Sequence, residues 1–260
     1  MLKCRIIPIM TFSGLALVKT KKFAENARMV GNAIQAAKVF NSRDVDELVF
    51  LDIYASDQKR KINLQMVRSI VNECFMPVAI GGGISTIEDI HDLLAVGADK
   101  VVIKSKLIEN PEFINKAAKI FGNQCLTLAI DVIIIKDSYY LYNRLNKKIP
   151  LVEFLNNIKS LNFGEIILTS VDRDGMMNGF DIELVQLVEK IVDVPIVVSG
   201  GGGEPKHFEK LFLKTKVEAV GAASIFYFTR HTPHDLKTSI SGVDRPVRII
   251  EKSFVPNNLQ

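Results

Sequence analysis

Asp131 follows directly on the run Leu126 to Ile130, where a carboxylate at a strand end is partly desolvated. Desolvation raises a carboxyl pKa toward neutrality, which is what a general acid or base needs. The lesser alternative for Asp131 is a helix cap. A polar, acidic segment, Thr169-Ser-Val-Asp-Arg-Asp-Gly175, follows the apolar run Glu165 to Leu168 in the same way, and its plainer reading is a solvated Asp-Gly turn. Two glycine clusters, Gly81-Gly82-Gly83 and Gly200-Gly201-Gly202-Gly203, would let backbone N–H groups approach a phosphate, with Ser199 and a following helix N-terminus adding donors. Either cluster alone reads as a turn. Two at corresponding places suggest a ligand with two phosphates, and further donors are expected at Lys104, Ser105, Ala223 and Ser224.

A second charged set is Arg5, Glu47, Lys100 and Glu165, each at the start of an apolar run. Two cations and two anions at one end of a barrel could close into a salt-bridged ring. Charge at that end of such a fold ordinarily serves folding, and physical reasoning alone favours a stability layer.

The elements that must position these residues are short runs rich in Val and Ile, alternating with segments of helical apolar spacing. Eight runs stand out: Arg5 to Met10, Glu47 to Asp52, Pro77 to Ile80, Lys100 to Ile103, Leu126 to Ile130, Glu165 to Thr169, Pro195 to Val198 and Glu218 to Ala222. They lack strict alternation, as parallel strands covered on both faces do. Eight strand–helix units in 260 residues predict an α/β fold, a (βα)8 TIM barrel, as one domain over 1–260. The chain also repeats itself at an offset of 118 residues. Glu47-Leu-Val-Phe-Leu-Asp-Ile matches Glu165-Ile-Ile-Leu-Thr-Ser-Val, Pro77-Val-Ala-Ile-Gly-Gly-Gly matches Pro195-Ile-Val-Val-Ser-Gly-Gly, and Lys100-Val-Val-Ile matches Glu218-Ala-Val-Gly. Shared Pro and Gly positions go beyond the sameness of buried strands, and predict two similar half-barrels. In such barrels the loops after the strands form the active face, so the residues just past each run have the first claim on function.

Composition narrows the function classes. Half the chain, 48%, is hydrophobic, enough for a large core, and the formal charge of +4 comes from 33 basic and 29 acidic residues without a clustered basic stripe. Nucleic-acid binding is not expected. Cys4, Cys74 and Cys125 have neither CxxC spacing nor a histidine in metal-ligand register, which suits a reduced, cytoplasmic protein with no metal. Met1 to Val18 faintly imitates a signal peptide, but Pro8 interrupts it and no small-residue cleavage site follows, so a buried strand is expected. The most apolar segment, Leu126 to Ile135, carries Asp131 and is not a membrane span.

Over nearly its whole length the sequence resembles the cyclase subunit of imidazole glycerol phosphate synthase. The segments that carry the resemblance are Arg5-Ile-Ile-Pro8, Asp46-Glu-Leu-Val-Phe-Leu-Asp-Ile53, Gly81-Gly-Gly-Ile84, Ala98-Asp-Lys-Val101, Ala129-Ile-Asp131, Gly164-Glu-Ile-Ile-Leu-Thr-Ser170 and Asp172-Arg-Asp-Gly175. The resemblance implies a lyase of histidine biosynthesis, paired as a heterodimer with a glutaminase (HisH-type) subunit docked on the barrel floor. Ammonia would pass a charged gate, which Arg5, Glu47, Lys100 and Glu165 match at every position. Asp131 corresponds to the principal catalytic aspartate. Gly83, Lys104, Ser105, Asp174, Gly175, Gly201, Ala223 and Ser224, with Lys19 in the loop after the first strand, form the implied substrate and phosphate set. No metal or organic cofactor is implied, and the partner chemistry is a phosphorylated small molecule.

The departures fall on the catalytic face. Where the family has Cys-Leu-Asp after Ile-Ile-Pro, this chain has Ile9-Met10-Thr11, and Thr11 cannot shuttle a proton near neutral pH. Lys104 replaces the family's asparagine, and can still meet phosphate as a point charge. Three functions therefore compete: the synthase cyclase; a second-copy paralogue of a surface-polysaccharide pathway that conducts ammonia to a sugar-amidating enzyme; and a glutaminase-activating scaffold. Phe12-Ser-Gly-Leu-Ala-Leu-Val-Lys-Thr20 and Met176-Met-Asn178 look more like the second group.

Overall fold

The computed structural model describes residues 3–24, 26–143 and 148–248. The predicted domain therefore extends at both ends, and the predicted first strand at Met1 and Leu2, outside the described residues. The eight apolar runs form β1 (Arg5–Phe12), β4 (Leu48–Asp52), β5 (Val78–Gly81), β6 (Lys100–Ile103), β7 (Leu126–Ile135), β10 (Glu165–Ser170), β11 (Ile196–Ser199) and β12 (Ala219–Ala222). Each pairs in parallel with the next in that order, and β12 returns to β1, closing a barrel with no free edge. The intervening helices include α1 (Ala33–Ser42), α2 (Leu64–Val71), α3 (Ile87–Ala95), α4 (Ser105–Glu109), α5 (Glu112–Phe121), α6 (Leu151–Ile158), α7 (Ile182–Glu189), α8 (Pro205–Lys214), α9 (Ser224–Phe228) and α10 (Pro233–Ser241).

Strand periodicity decides which side chains enter the bore. On β1, Ile7 and Ile9 belong to the interior cluster with Val49, Ala79, Val102, Ile167, Val197 and Ala219, whereas Ile6 and Met10 pack outward under the helices. The same alternation puts Arg5 at the floor end and Thr11 at the mouth end of one inward-facing row. Both faces of the strands are buried, which is why the runs read as continuously apolar.

The half-barrel repeat appears in backbone detail. β5 and β11 start 118 residues apart, at Val78 and Ile196. The residues that open the short helices after β6 and β12, Lys104 (φ −124°, ψ −71°) and Ala223 (φ −137°, ψ −72°), share an uncommon conformation, and neither caps its helix with a side chain.

Four strands were not read from the sequence: β2 (Leu17–Lys19), β3 (Arg28–Gly31), β8 (Ser138–Leu141) and β9 (Ile149–Pro150). They extend β1 and β7 as antiparallel additions at the mouth. The expected strand Met1 to Val18 is thus a strand, a turn with Leu15 exposed, and a second strand. Lys19 ends β2 and does not lie in a loop. β7 continues past Asp131 to a two-residue turn, Lys136-Asp137, with both residues at positive φ, the geometry that matches the twist of a hairpin. No helix among the described residues is long and apolar enough to cross a membrane.

Candidate active site at the barrel mouth, and the charged floor

At the floor, four side chains alternate in sign around a closed ring. Arg5 Nη1 donates to Glu47 Oε2 at 2.7 Å, and Arg5 Nη2 reaches Glu165 Oε2. Lys100 Nζ lies 2.9 Å from both Glu47 oxygens and 3.0 Å from Glu165 Oε1. Both carboxylates are buried. A buried carboxylate is costly unless paired, and each here touches both cations. Burial works against charge on Arg5, but the Glu165 and Glu47 carboxylates outweigh it and hold the guanidinium above its ordinary pKa. Above the ring the bore is apolar apart from Thr127, which pairs in register with Glu165 and so faces inward; its hydroxyl has no hydrogen-bond partner among the described residues.

At the mouth, Thr11 and Asp131 stand on β1 and β7, four strands apart in an eight-strand ring, and so face each other. Thr11 Oγ1 donates to the Val18 carbonyl, an intrachain bond that ties β1 to β2. Asp131 is buried, but not among apolar groups alone as the sequence suggests: the Lys104 ammonium contacts its Oδ2. Lys104 is itself held 5.4 Å from the Tyr142 ring centroid and 5.7 Å from that of Phe23, and these two rings pack edge to face at 5.4 Å. The helix-capping alternative for Asp131 fails, because it lies inside a strand.

The carboxyl raised by desolvation is Asp174, one residue before Gly175 in the turn after β10. Burial pushes it up to about 6, with Asp131 adding to the rise and Lys19 opposing it. Burial likewise lowers Lys19 to about 8 against the pull of Asp174. Lys19 Nζ donates to the Ile9 carbonyl at 3.3 Å, so its ammonium rests against β1, two residues before Thr11. The Asp174 turn is fixed to this segment, since Lys22 N donates to the Asp174 carbonyl at 2.9 Å.

The glycine-rich loops form two groups on opposite sides of the mouth. Gly83 follows β5, and Lys104 and Ser105 follow the neighbouring β6; Gly201 follows β11, and Ala223 and Ser224 follow the neighbouring β12. Gly201 needs its glycine: at φ +112° an added Cβ would lie 2.1 Å from the Gly179 carbonyl oxygen. Gly175, at φ +71°, packs so closely on the loop after β2 that a Cβ would lie 2.3 Å from Thr20 O. The Gly203 N–H is taken, donating to His207 Nδ1 at 3.2 Å.

Several groups at the mouth were not singled out from the sequence. Asp52, at the end of β4, is buried and receives both Arg60 amino groups at 2.5 and 2.8 Å. The only sequence signal for it is its position at a strand end. Phe23 and Tyr142 come from two mouth segments that sequence spacing does not connect.

Fold and site together define a twofold-repeated (βα)8 barrel, with ionisable groups at its mouth set between two backbone cradles. The pattern of the family described as histidine biosynthesis protein matches residues 5–232, and the chain belongs to that family. The chain is 39% identical over 253 residues to imidazole glycerol phosphate synthase subunit HisF of Hydrogenobaculum sp. (strain Y04AAS1), covering 96% of this chain and all of the relative. It is 39% identical to the subunit of the same name from Thermococcus onnurineus (strain NA1), over 96% of this chain and 99% of that one. It is 38% identical to a Campylobacter jejuni protein provisionally named imidazole glycerol phosphate synthase subunit hisF2, over 96% of this chain and all of that one.

Proposed function

We propose that this chain, as one barrel domain over 1–260, is the cyclase subunit of an imidazole glycerol phosphate synthase and works in the cytoplasm. A glutaminase subunit docks 1:1 on the floor. Ammonia passes the Arg5, Glu47, Lys100 and Glu165 ring and the apolar bore. At the mouth it meets an aminated ribulosyl carboxamide ribotide held by its two phosphates in the facing cradles. The products are imidazole glycerol phosphate and aminoimidazole carboxamide ribotide.

The observation that carries this reading is the closed four-residue ring beneath an apolar bore that leads to Asp131. The names of the relatives, each a synthase subunit, support a partner. Once ammonia has added to the carbonyl to give a carbinolamine, expelling water requires one proton taken from nitrogen and one given to oxygen. Asp131, on β7 at the mouth end of the bore, suits the first task. The second reading, an ammonia-conducting paralogue with little cyclase activity, is favoured by Thr11, whose hydroxyl is committed to Val18. It is also favoured by Lys104, which competes with substrate for Asp131.

The reading is tested by titrating the chain with the glutaminase subunit from the same genome and measuring both complex formation and glutamine-driven product. A 1:1 complex is expected, and Lys100→Glu weakens it or uncouples glutamine hydrolysis from ammonia delivery. Unchanged binding and coupling in Lys100→Glu contradict the gate assignment.

A further inference from the structure

We propose that Asp174 supplies the second acid–base carboxyl of this chain, giving the proton that leaves with the departing oxygen; the proposal rests on the cyclase reading above. The first observation is the state of the other candidates. Thr11 has no carboxyl, and its hydroxyl is spent on Val18 O. Asp131 is engaged by the Lys104 ammonium. Asp174 differs from both: it is half-buried, and no donor among the described residues makes a hydrogen bond or ion pair with its carboxylate.

The second observation is placement. The Asp174 amide donates to the Ser170 carbonyl at 3.0 Å, so the turn leaves β10 at the mouth. Lys22 N on the Asp174 carbonyl, and the close approach of Gly175 to Thr20, then clamp this turn against the segment that follows β2. Lys19, which precedes that segment, reaches back to Ile9 O within β1. These contacts hold Asp174 toward the strand whose own carboxyl is missing. The charged groups that face it are Lys19 from β2 and Asp131 from β7, with Lys104 from the end of β6 behind Asp131.

The third observation is the division of labour. Two titratable groups in unlike environments, one beside an ammonium and one desolvated, suit opposite proton transfers. Ammonia adds to the substrate carbonyl to give a carbinolamine. Asp131 takes a proton from its nitrogen, and protonated Asp174 gives one to its hydroxyl, which leaves as water with the carbon–oxygen bonding pair while the carbon–nitrogen double bond forms. The two carboxyls end with exchanged protonation states, and solvent resets them. Asp174, at about 6, is available in its acid form near neutral pH.

Two measurements on the full chain test this, one of them independent of activity. A carboxyl raised in the folded state contributes stability below its unfolded value near 3.8, and that contribution is lost as pH rises through about 6. Asp174→Asn should therefore raise Tm by roughly 2–4 °C at pH 7.5 and leave it unchanged or lower at pH 4. No gain at pH 7.5 overturns the assignment while leaving the cyclase reading intact. The other measurement is cyclisation with an ammonium salt, normalised to free ammonia across pH. Wild type should lose rate as pH rises through about 6, and Asp174→Asn should lose that limb and about 10²–10⁴-fold in rate. Asp174→Glu should restore part of both. A variant within twofold of wild type, keeping the limb, sinks the role of Asp174 alone. Wild type without product sinks the cyclase reading and this proposal with it.

Discussion

The two ends of the barrel treat charge in opposite ways. At the floor, four charges satisfy one another completely: each carboxylate bridges both cations, and the ring is built from residues at the starts of strands β1, β6 and β10 and just before β4. At the mouth, Asp131, Lys104, Lys19 and Asp174 are left unequally partnered. Asp131 has Lys104, while Lys19 and Asp174 are both pushed toward neutrality by burial. A satisfied ring is rigid and resists proton exchange; an unequal set is poised for it. The difference separates a floor whose charges neutralise one another from a mouth whose ionisable groups do not.

The comparison breaks most severely at Asp131. Asp131→Asn keeps the shape but removes the proposed proton acceptor and leaves the Lys104 ammonium unpaired, so ammonia-dependent cyclisation should fall by about 10²–10⁴-fold. Single-turnover rates alongside circular dichroism check this, and activity within a few-fold of wild type would make the mouth chemistry independent of Asp131. The floor comes next. Glu165→Gln removes one charge from a buried ring, and unfolding in urea should show a loss of about 3–5 kcal/mol, the usual cost of stranding a buried partner. A loss under 1 kcal/mol would mean that the ring is loosely hydrated and not closed. The smallest expected effect is at a cradle. Gly201→Ala meets the Gly179 carbonyl and an unfavourable φ. Strain of this kind costs about 1–3 kcal/mol, and calorimetry with a bis-phosphate substrate analogue should show a comparable loss of affinity. Unchanged affinity would move the phosphate away from this loop.

The sequence made the barrel legible because its signal is local. Each barrel strand is a short Val- and Ile-rich run, and the repeat at 118 residues set the strand ends, so Asp131, Gly83, Gly201 and the floor charges could all be placed at the correct end. The mouth hairpins escaped because β2, β3, β8 and β9 are only two to four residues long, and all but β2 are partly exposed, with no buried stripe to mark them. Missing them misplaced Lys19 in a loop and hid the environment of Asp131. Its partner Lys104 was read only as a phosphate donor, and the Phe23 and Tyr142 rings that confine that lysine come from segments far apart in sequence. Asp174 was named in the implied substrate set but could not be read as the desolvated carboxyl, because its burial comes from packing between the turn after β10 and the segment following β2.

The central claim, that the mouth of this barrel still closes an imidazole ring without a carboxyl at position 11, is tested most directly by single-turnover formation of imidazole glycerol phosphate from synthetic substrate and an ammonium salt. Wild type should form product slowly but measurably, and Thr11→Asp, which restores the family's carboxyl, should form it faster. No product from either protein, with stimulation of the glutaminase intact, would contradict the account and leave a barrel that conducts ammonia to another acceptor.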